Sequence, residues 1–555
     1  MSRFFRSDTP ANSLSLRPIS LLNPTPDATQ APPTDASWEA DLGLSDLINA
    51  LSPDRRHRRF IRAILLALPT DPTVIRWRQD ILADFVENPA LVDTLEALLP
   101  HIAGLTEDNA LLGKQSRSLL MQTSDRLGEL DMYTELLAAL HDALANTVLK
   151  SSALRQLRDD IARVLALPDY QRLRDELPAL RAPLQNIGSL TIGINLDYNL
   201  RPTSAVLMAI NTREVGEPPS LLDRLFRPDD PDEQTPPLKG VGPVHHFPKD
   251  RNQRPYHDLF QDVDKLLHQT AKPIAESLRY YVRTNSQVMV HLEQEIAFYV
   301  AAARLLQRTD VPFCQPEIAP QAERTAQADQ LHNIALLCQG DVRSVPSDIR
   351  FDQTGRIAVL TGPNSGGKTT FLRNIGLAQV MFQAGLFVPA QAAHFSPVDH
   401  IFTHFPRLET REQGRLAEES ARLRTALQHA TAHSLILLNE TFSSTAFAEA
   451  LYLAQDVLAA MCAIGVRAVF ATHLAELADA FDTIEAGIDT NSRLFSLVAG
   501  VKLQDDGSAT PTYQITRRPP LGRSYAEEIA RRHGISFSQI MAHRAQVKPS
   551  SAAKS

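Results

Sequence analysis

The run Gly362-Pro363-Asn364-Ser365-Gly366-Gly367-Lys368-Thr369 has the residue types and the spacing of a phosphate cradle. Glycines without a Cβ let successive backbone N–H groups turn towards a phosphate, and Lys368 reaches the β- and γ-phosphates. The Thr369 hydroxyl, with Thr370 beside it, meets Mg2+ at the positive end of the helix that follows. The expected cofactors are therefore ATP and Mg2+. An apolar strand, Ile357 to Thr361, precedes the loop and a helical stretch, Thr370 to Met381, follows it, which is the context such a loop requires.

Two more apolar runs end in polar residues that suit the same chemistry. Ser434-Leu435-Ile436-Leu437-Leu438-Asn439-Glu440 reads as a strand closing on the pair of positions where a phosphoryl-transfer ATPase needs a Mg2+-shell group and then a water-orienting base. Glu440 fits the base. Asn439 supplies no charge, yet its amide oxygen can accept a hydrogen bond from a metal-bound water, so Thr369 and Asn439 are the candidate metal-site residues. The competing reading makes Asn439 a helix N-cap and leaves Glu440 solvated. Ala471-Thr472-His473 ends a third strand, which makes His473 a candidate γ-phosphate sensor, against the ordinary reading of a structural histidine.

These strands need a sheet to align them. From about Ile334, short apolar runs (Ile357 to Thr361, Leu435 to Leu438, Ala468 to Ala471) alternate with helical stretches, the pattern of an α/β domain with a parallel sheet and crossover helices. Upstream, Trp38 to about Leu184 reads as helical, with Phe60 to Leu68, Val74 to Phe85 and Tyr133 to Leu167 as long segments and Pro69, Pro72 and Pro100 as breaks. The period then shortens to that of two strands, Leu190 to Leu196 and Ala205 to Ile210, followed by a Pro- and Asp-rich stretch, Glu217 to Arg254, expected as a flexible loop. Val288, Leu292, Ile296, Tyr299, Ala303 and Leu306 then mark one apolar stripe on a further helix.

Composition narrows the class. With 555 residues, 43% hydrophobic and 22% charged, the chain is an ordinary globular protein of about three or four domains. Lys+Arg at 56 against Asp+Glu at 64 gives a formal charge of −8, which excludes a histone-like polycation and still allows a local basic groove. Cys314, Cys338 and Cys462 lie far apart without C-x-x-C spacing, which suits a reducing cytoplasm and offers no thiolate metal site. No apolar run approaches 18 residues, so no membrane partner is expected.

At these residues the chain resembles the MutS family of DNA mismatch-repair ATPases, which are related to ABC-type ATPases. Thr361-Gly362-Pro363-Asn364-Ser365-Gly366-Gly367-Lys368-Thr369-Thr370 is similar to that family's T-G-P-N-x-G-G-K-[ST]-T. Phe387-Val388-Pro389-Ala390 and Asp399-His400-Ile401-Phe402-Thr403 follow at the family's distances, and Ala471-Thr472-His473-Leu474-Ala475-Glu476-Leu477 resembles its A-T-H-x-x-E-L. Gly522-Arg523-Ser524-Tyr525-Ala526-Glu527-Glu528-Ile529-Ala530-Arg531, with Gly534-Ile535, is similar to its closing S-Y-G segment. The resemblance covers about Ile334 to Ala545.

The fold it implies is an α/β P-loop ATPase, ABC-like and with a parallel sheet, preceded by an all-helical core and lever region with a β-containing, clamp-like insert. The expected domains are a disordered leader over 1–36, helical core and lever over 37–185, the insert and loop over 186–255, and a second helical part over 256–332. The ATPase domain follows over 333–518, then a C-terminal helical dimerisation segment over 519–545 and a tail over 546–555. Mismatch-finding members carry wedge and connector domains ahead of this core, and the stretch before Trp38 is too short for them. Phe85-Val86-Glu87 has the Phe-x-Glu form of the mismatch wedge but lies in a helical pattern and is expected to be core packing.

Three departures stand inside the ATPase. Thr441-Phe442-Ser443-Ser444-Thr445 replaces a glycine-rich run, the signature segment reads Gly414-Arg415-Leu416-Ala417-Glu418-Glu419-Ser420, and Ser344-Val345-Pro346-Ser347-Asp348 lacks the aromatic that commonly stacks on adenine. The implied function is a cytoplasmic, homodimeric clamp that binds duplex or branched DNA, is gated by ATP binding and hydrolysis, and serves repair or recombination, with other repair proteins as partners. The alternatives are a nucleotide-gated clamp with little hydrolysis, or an ATPase acting on branched DNA or on structured RNA on ribosomes. Arg55-Arg56-His57-Arg58-Arg59 is a cation cluster at a helix start, read first as a solvated face and otherwise as a site for an acidic partner. Arg517, Arg518, Arg523, Arg531 and Arg532 are assigned first to the interface or surface and then to DNA.

Overall fold

The computed structural model describes residues 16–25, 37–112, 119–185, 189–196, 198, 202–211, 288–289, 291–340, 344–406, 415–443, 445–488, 492–503, 509–520 and 534–547. Two compact units form. One draws on Met1–Pro18, Ala97–Ala145 and Leu157–Glu293, the other on Ile19–Glu96, Asn146–Gln156 and Gln294–Ser555. The residues expected as one helical region, 37–185, are thus shared between the two.

In the first unit, the helices Leu119–Ala145 and Pro168–Gln185 pack together, tied by the buried Tyr170 hydroxyl, which donates to the Thr134 carbonyl at 3.0 Å. Strands β1 (Ser189–Leu196) and β2 (Pro202–Asn211) pair antiparallel, as the change of period predicts. The expected loop over 217–254 lies outside the described residues. Pro100, expected as a break, sits inside the helix Pro89–Leu112. A proline inside a helix removes one i→i−4 bond, and this helix continues past it to Leu112.

The second unit is built on two sheets. Strands β3 (Glu317–Ile318), β4 (Ala326–Leu331), β5 (Ser347–Phe351) and β7 (Ala392–Phe395) form a four-stranded sheet in the order β3-β7-β4-β5. Strands β6 (Ile357–Thr361), β8 (Ile401–His404), β9 (Leu435–Asn439), β10 (Arg467–Ala471), β11 (Leu494–Leu503) and β12 (Ala509–Arg517) form a six-stranded sheet in the order β12-β11-β6-β10-β9-β8. All its pairings are parallel except that of β11 with β12. Every residue of β6, β9 and β10 is buried, which is why these strands read as unbroken apolar runs instead of alternating ones.

The helix Phe447–Ile464 is long and apolar enough to cross a membrane. Here it is the crossover between β9 and β10, and its Ala450, Ala454, Leu458 and Met461 are buried in the same core as Ile436, Leu438, Ala468 and Phe470. The helix Lys368–Gln383 lies against β9 and β10. The short N-terminal helices Trp38–Leu42 and Leu44–Leu51 pack on it and on Ile334–Gln339, with Trp38 and Leu42 buried.

The expectation of a disordered leader fails for residues 19–25. Ile19, Leu21 and Leu22 are buried, and a carboxylate holds the strap: Glu295 accepts from Ser20 Oγ at 2.7 Å and from the Leu21 N–H at 2.6 Å. Tyr299 Oη donates to the Leu21 carbonyl at 2.7 Å, and Arg78 Nε to the Leu22 carbonyl at 2.8 Å. Glu295 and Tyr299 lie on a helix over 291–308, where the predicted stripe residues Leu292, Ile296, Tyr299 and Ala303 are buried. Phe85 is core packing, its ring 5.7 Å from that of Tyr299.

Candidate functional site

Strands β6, β8, β9 and β10 end in register. Ala471 pairs with Leu360 on one side and with Asn439 on the other, and His404 pairs with Leu438. Loops leaving the carboxyl ends of parallel strands converge in one crevice, where such sheets bind ligands. The loop 362–367 leaves β6, Asn439 and Glu440 close β9, and Thr472 and His473 follow β10, with β10 standing between the other two.

The loop is shaped for close approach. Gly362 has φ +142°, and a Cβ there would come 2.7 Å from Ala499 Cβ. Gly367, with φ +91°, turns the chain into the helix that starts at Lys368, so that helix presents its first backbone N–H groups to the crevice. Asn364 and Ser365 are exposed at the tip, and Gly366 N–H donates to the Pro363 carbonyl at 3.1 Å.

Lys368 is buried and folds back over its own loop: Nζ donates to the Gly362 and Pro363 carbonyls at 2.9 and 3.1 Å and lies 3.8 Å from Glu440 Oε1. Burial pushes its ammonium below the ordinary lysine range, while the charge of Glu440 pulls the other way. Glu440 Oε1 also lies 3.2 Å from His473 Nε2. Thr369 Oγ1 donates to Asn439 Oδ1 at 3.3 Å. The residues predicted from three separate strand ends therefore meet, and the alternative of Asn439 as a helix N-cap is excluded, because the next helix begins at Phe447 with Ala446 as its cap.

The two oxygens of Thr369 and Asn439 fit a Mg2+ ion that keeps most of its water: Mg2+ prefers oxygen donors, dehydrates reluctantly and is commonly held by one or two protein groups plus phosphate. No cluster of three or more His, Cys, Asp or Glu side chains suited to a metal occurs among the described residues.

The family model for MutS domain V matches residues 358–547, and that for the MutS2 N-terminal domain matches residues 70–310. The chain belongs to the MutS family. It is 33% identical over 239 residues to the DNA mismatch repair protein MutS of Brevibacillus brevis, covering 41% of this chain and 28% of that protein. With the Endonuclease MutS2 of Thermus thermophilus it shares 37% identity over 191 residues, 34% of this chain and 24% of the relative. With the MutS of Haloquadratum walsbyi it shares 26% identity over 516 residues, 86% of this chain and 52% of the relative. The chain thus spans between about a quarter and a half of the length of these MutS relatives.

Within this MutS-family chain, three residues near the crevice escape a reading of motifs. Tyr513 on β12, with φ +60°, stands beside Gly367, and together with Asn333, Val345, Thr370, Phe371 and Ile515 it lines a cavity of about 310 Å3 next to the phosphate loop. This aromatic wall comes from a strand more than a hundred residues after the segment 344–348. His404, buried at the end of β8, shares a 3.0 Å hydrogen bond with Thr441 Oγ1. Asp41 reaches the same edge from the N-terminal helix, accepting from Thr403 Oγ1 at 2.7 Å. No sequence signal marks the last two. The signature segment begins the helix Arg415–His429, and its Gly414 lies outside the described residues, as do residues 521–533 of the closing segment. Arg55, Arg56, Arg58 and Arg59 are exposed around the turn Arg55–His57, with Arg56 paired to Asp54 at 2.6 Å.

Proposed function

We propose that this MutS-family chain is a Mg2+-dependent ATPase whose nucleotide state gates a homodimeric clamp on duplex or branched DNA in repair or recombination, within the cytoplasm. The observation that carries the reading is the convergence of Lys368, Thr369, Asn439, Glu440 and His473 at the ends of three adjacent parallel strands. The names of the relatives, DNA mismatch repair protein and endonuclease, support nucleic acid as the partner.

In this mechanism the N–H groups of the loop and the Lys368 ammonium bind the β- and γ-phosphates, Lys368 exchanging the Gly362 and Pro363 carbonyls for phosphate oxygens. Thr369 would ligate Mg2+ and Asn439 would accept a hydrogen bond from its water shell, and the ion would supply neutralisation of phosphate charge. Glu440 accepts a proton from the attacking water as the new P–O bond forms and the β–γ bridging P–O bond breaks, releasing ADP and phosphate. His473, within hydrogen-bond reach of Glu440, orients that carboxylate and senses the γ-phosphate. The cavity beside Tyr513 receives the base.

Asn439 favours a second reading, a nucleotide-gated clamp with slow turnover, because a neutral amide holds the metal shell less firmly than a carboxylate. Steady-state ATP turnover by the full chain separates the two. It is measured alone and with perfect duplex, single-mismatch duplex, four-way junction and structured RNA, with Glu440→Gln as the blank. Turnover that depends on Glu440 and rises with one DNA shape is the expected result. Tight ATP binding without such turnover supports the gated clamp, and stimulation by RNA alone would move the partner from DNA to RNA.

A further inference from the structure

Thr441, the residue after the proposed base, is the middle of a turn whose two flanking residues are both in the left-handed region: Glu440 has φ +50° and Phe442 has φ +68°. Neither is glycine. Such conformations cost free energy and persist only where surrounding contacts over-determine them. Phe442 is pinned by burial in the sheet core, and the Glu440 N–H is pinned by the Ala471 carbonyl at 2.8 Å. Between them, the Thr441 side chain is held by His404, through the 3.0 Å hydrogen bond shared by His404 Nδ1 and Thr441 Oγ1. Both residues are buried.

His404 is itself held on both sides. Thr403 Oγ1 donates to Asp41 Oδ2 at 2.7 Å, the Arg373 guanidinium lies 6.0 Å from the Phe405 ring centroid, and Arg373 Nε donates to the Asp41 carbonyl at 2.9 Å. Arg373 belongs to the helix that opens with Lys368. The end of β8 is therefore a fixed post beside the turn that carries Glu440, although no atom of it belongs to the set of residues assigned to nucleotide.

We propose that His404 is a positioning residue for ATP hydrolysis: by holding Thr441, it fixes the left-handed turn that aims the Glu440 carboxylate at the attacking water. The proposal rests on the ATPase reading above. A misaimed base lowers the rate of the chemical step and leaves the phosphate-binding loop intact, so the effect falls on kcat and spares nucleotide affinity.

The test compares Thr441→Val, which keeps the side-chain shape and removes the hydroxyl, with His404→Leu, His404→Asn and the double variant His404→Leu/Thr441→Val, all in the full chain. Expected are a fall in kcat of about tenfold or more for Thr441→Val and His404→Leu and a KM for ATP within about threefold of the parent. His404→Asn, which retains a polar group near the Nδ1 position, recovers most of the rate. The double variant is no slower than the slower single, because both changes remove one interaction. Circular dichroism and thermal melting check each fold, and should His404→Leu fail to fold, Thr441→Val and His404→Asn decide the matter. Folded Thr441→Val with the parent kcat, or a double variant whose losses multiply, overturns the positioning role alone. A parent chain with no turnover above the Glu440→Gln blank overturns the hydrolysis reading and this role with it.

Discussion

Lys368 Nζ and Glu440 Oε1 stand 3.8 Å apart, so the cation of the phosphate loop and the carboxylate that follows β9, two strands away from β6, form an ion pair in the crevice. Lys368 is held by two carbonyls as well, and a triphosphate has to compete with all three oxygens for it. Removing the negative charge at 440 relieves both the competition and the repulsion of the γ-phosphate. Glu440→Gln is expected to bind ATP several-fold more tightly than the parent while losing turnover. Lys368→Ala, which forfeits charge-assisted bonds of about 1.5–3 kcal/mol, is expected to weaken binding by about ten- to a hundredfold. Equilibrium titration with a fluorescent ATP analogue reads both, and Glu440→Gln binding more weakly than the parent would contradict the competition.

Asn439→Asp tests the metal shell. Asn439 Oδ1 already faces Thr369 Oγ1 at 3.3 Å, and the replacement is nearly isosteric, so the geometry survives while a charge is added beside the Mg2+ position. A hard dication gains from an anionic oxygen. The expected outcome is a lower Mg2+ concentration for half-maximal turnover and a several-fold higher kcat, measured by Mg2+ titration at saturating ATP. An unchanged Mg2+ profile would remove Asn439 from the metal shell.

How much of this was legible follows from how far apart the interacting residues lie in the chain. Gly362 to Thr369 are consecutive, and β6, β9 and β10 are buried on both faces, so loop and strands could be read directly. Their convergence followed from the parallel-sheet rule, without any contact being known. The His404–Thr441 bond joins residues 37 apart, and nothing local distinguishes that histidine from any other at a strand end. Strands β4, β5 and β7 are short and mix polar with apolar residues, so they carry no clear strand signal. Ile19 to Leu22 lie in Pro-, Ser- and Asn-rich surroundings, and what orders them is Glu295 and Tyr299, more than 270 residues away.

That strap makes its own prediction. Leu21 is fully buried, and Leu→Ala changes at such sites cost about 2–5 kcal/mol through lost transfer energy and the cavity left behind. Glu295→Gln removes the charge that strengthens both bonds and replaces one acceptor oxygen with an NH2 group, at about 1–3 kcal/mol. Both variants are expected to melt at lower temperature than the parent, Leu21→Ala the more so. Melting curves that superimpose on the parent's would mean that residues 19–25 contribute nothing to the fold.

The three thiols give a prediction in pH. Burial pushes the Cys314 and Cys338 thiols up to about 11 and that of Cys462 up to about 12, with Asp329, Asp46 and Glu485 respectively adding to the rise. At pH 8 the reactive thiolate is then about a hundredfold scarcer than for a free cysteine at Cys314 and Cys338, and scarcer still at Cys462. The folded chain keeps protons that the unfolded chain releases. The stability this lends is complete below pH 9 and is lost as pH rises through about 11 and 12. Labelling with a thiol-reactive chromophore at pH 8 should therefore be slow in native buffer and rapid for all three cysteines in guanidinium. Cys462, buried in the core under the sheet, is expected to label last. Fast native labelling of Cys462 would show that the helix Phe447–Ile464 opens without global unfolding, and would remove burial as the reason for its inertness.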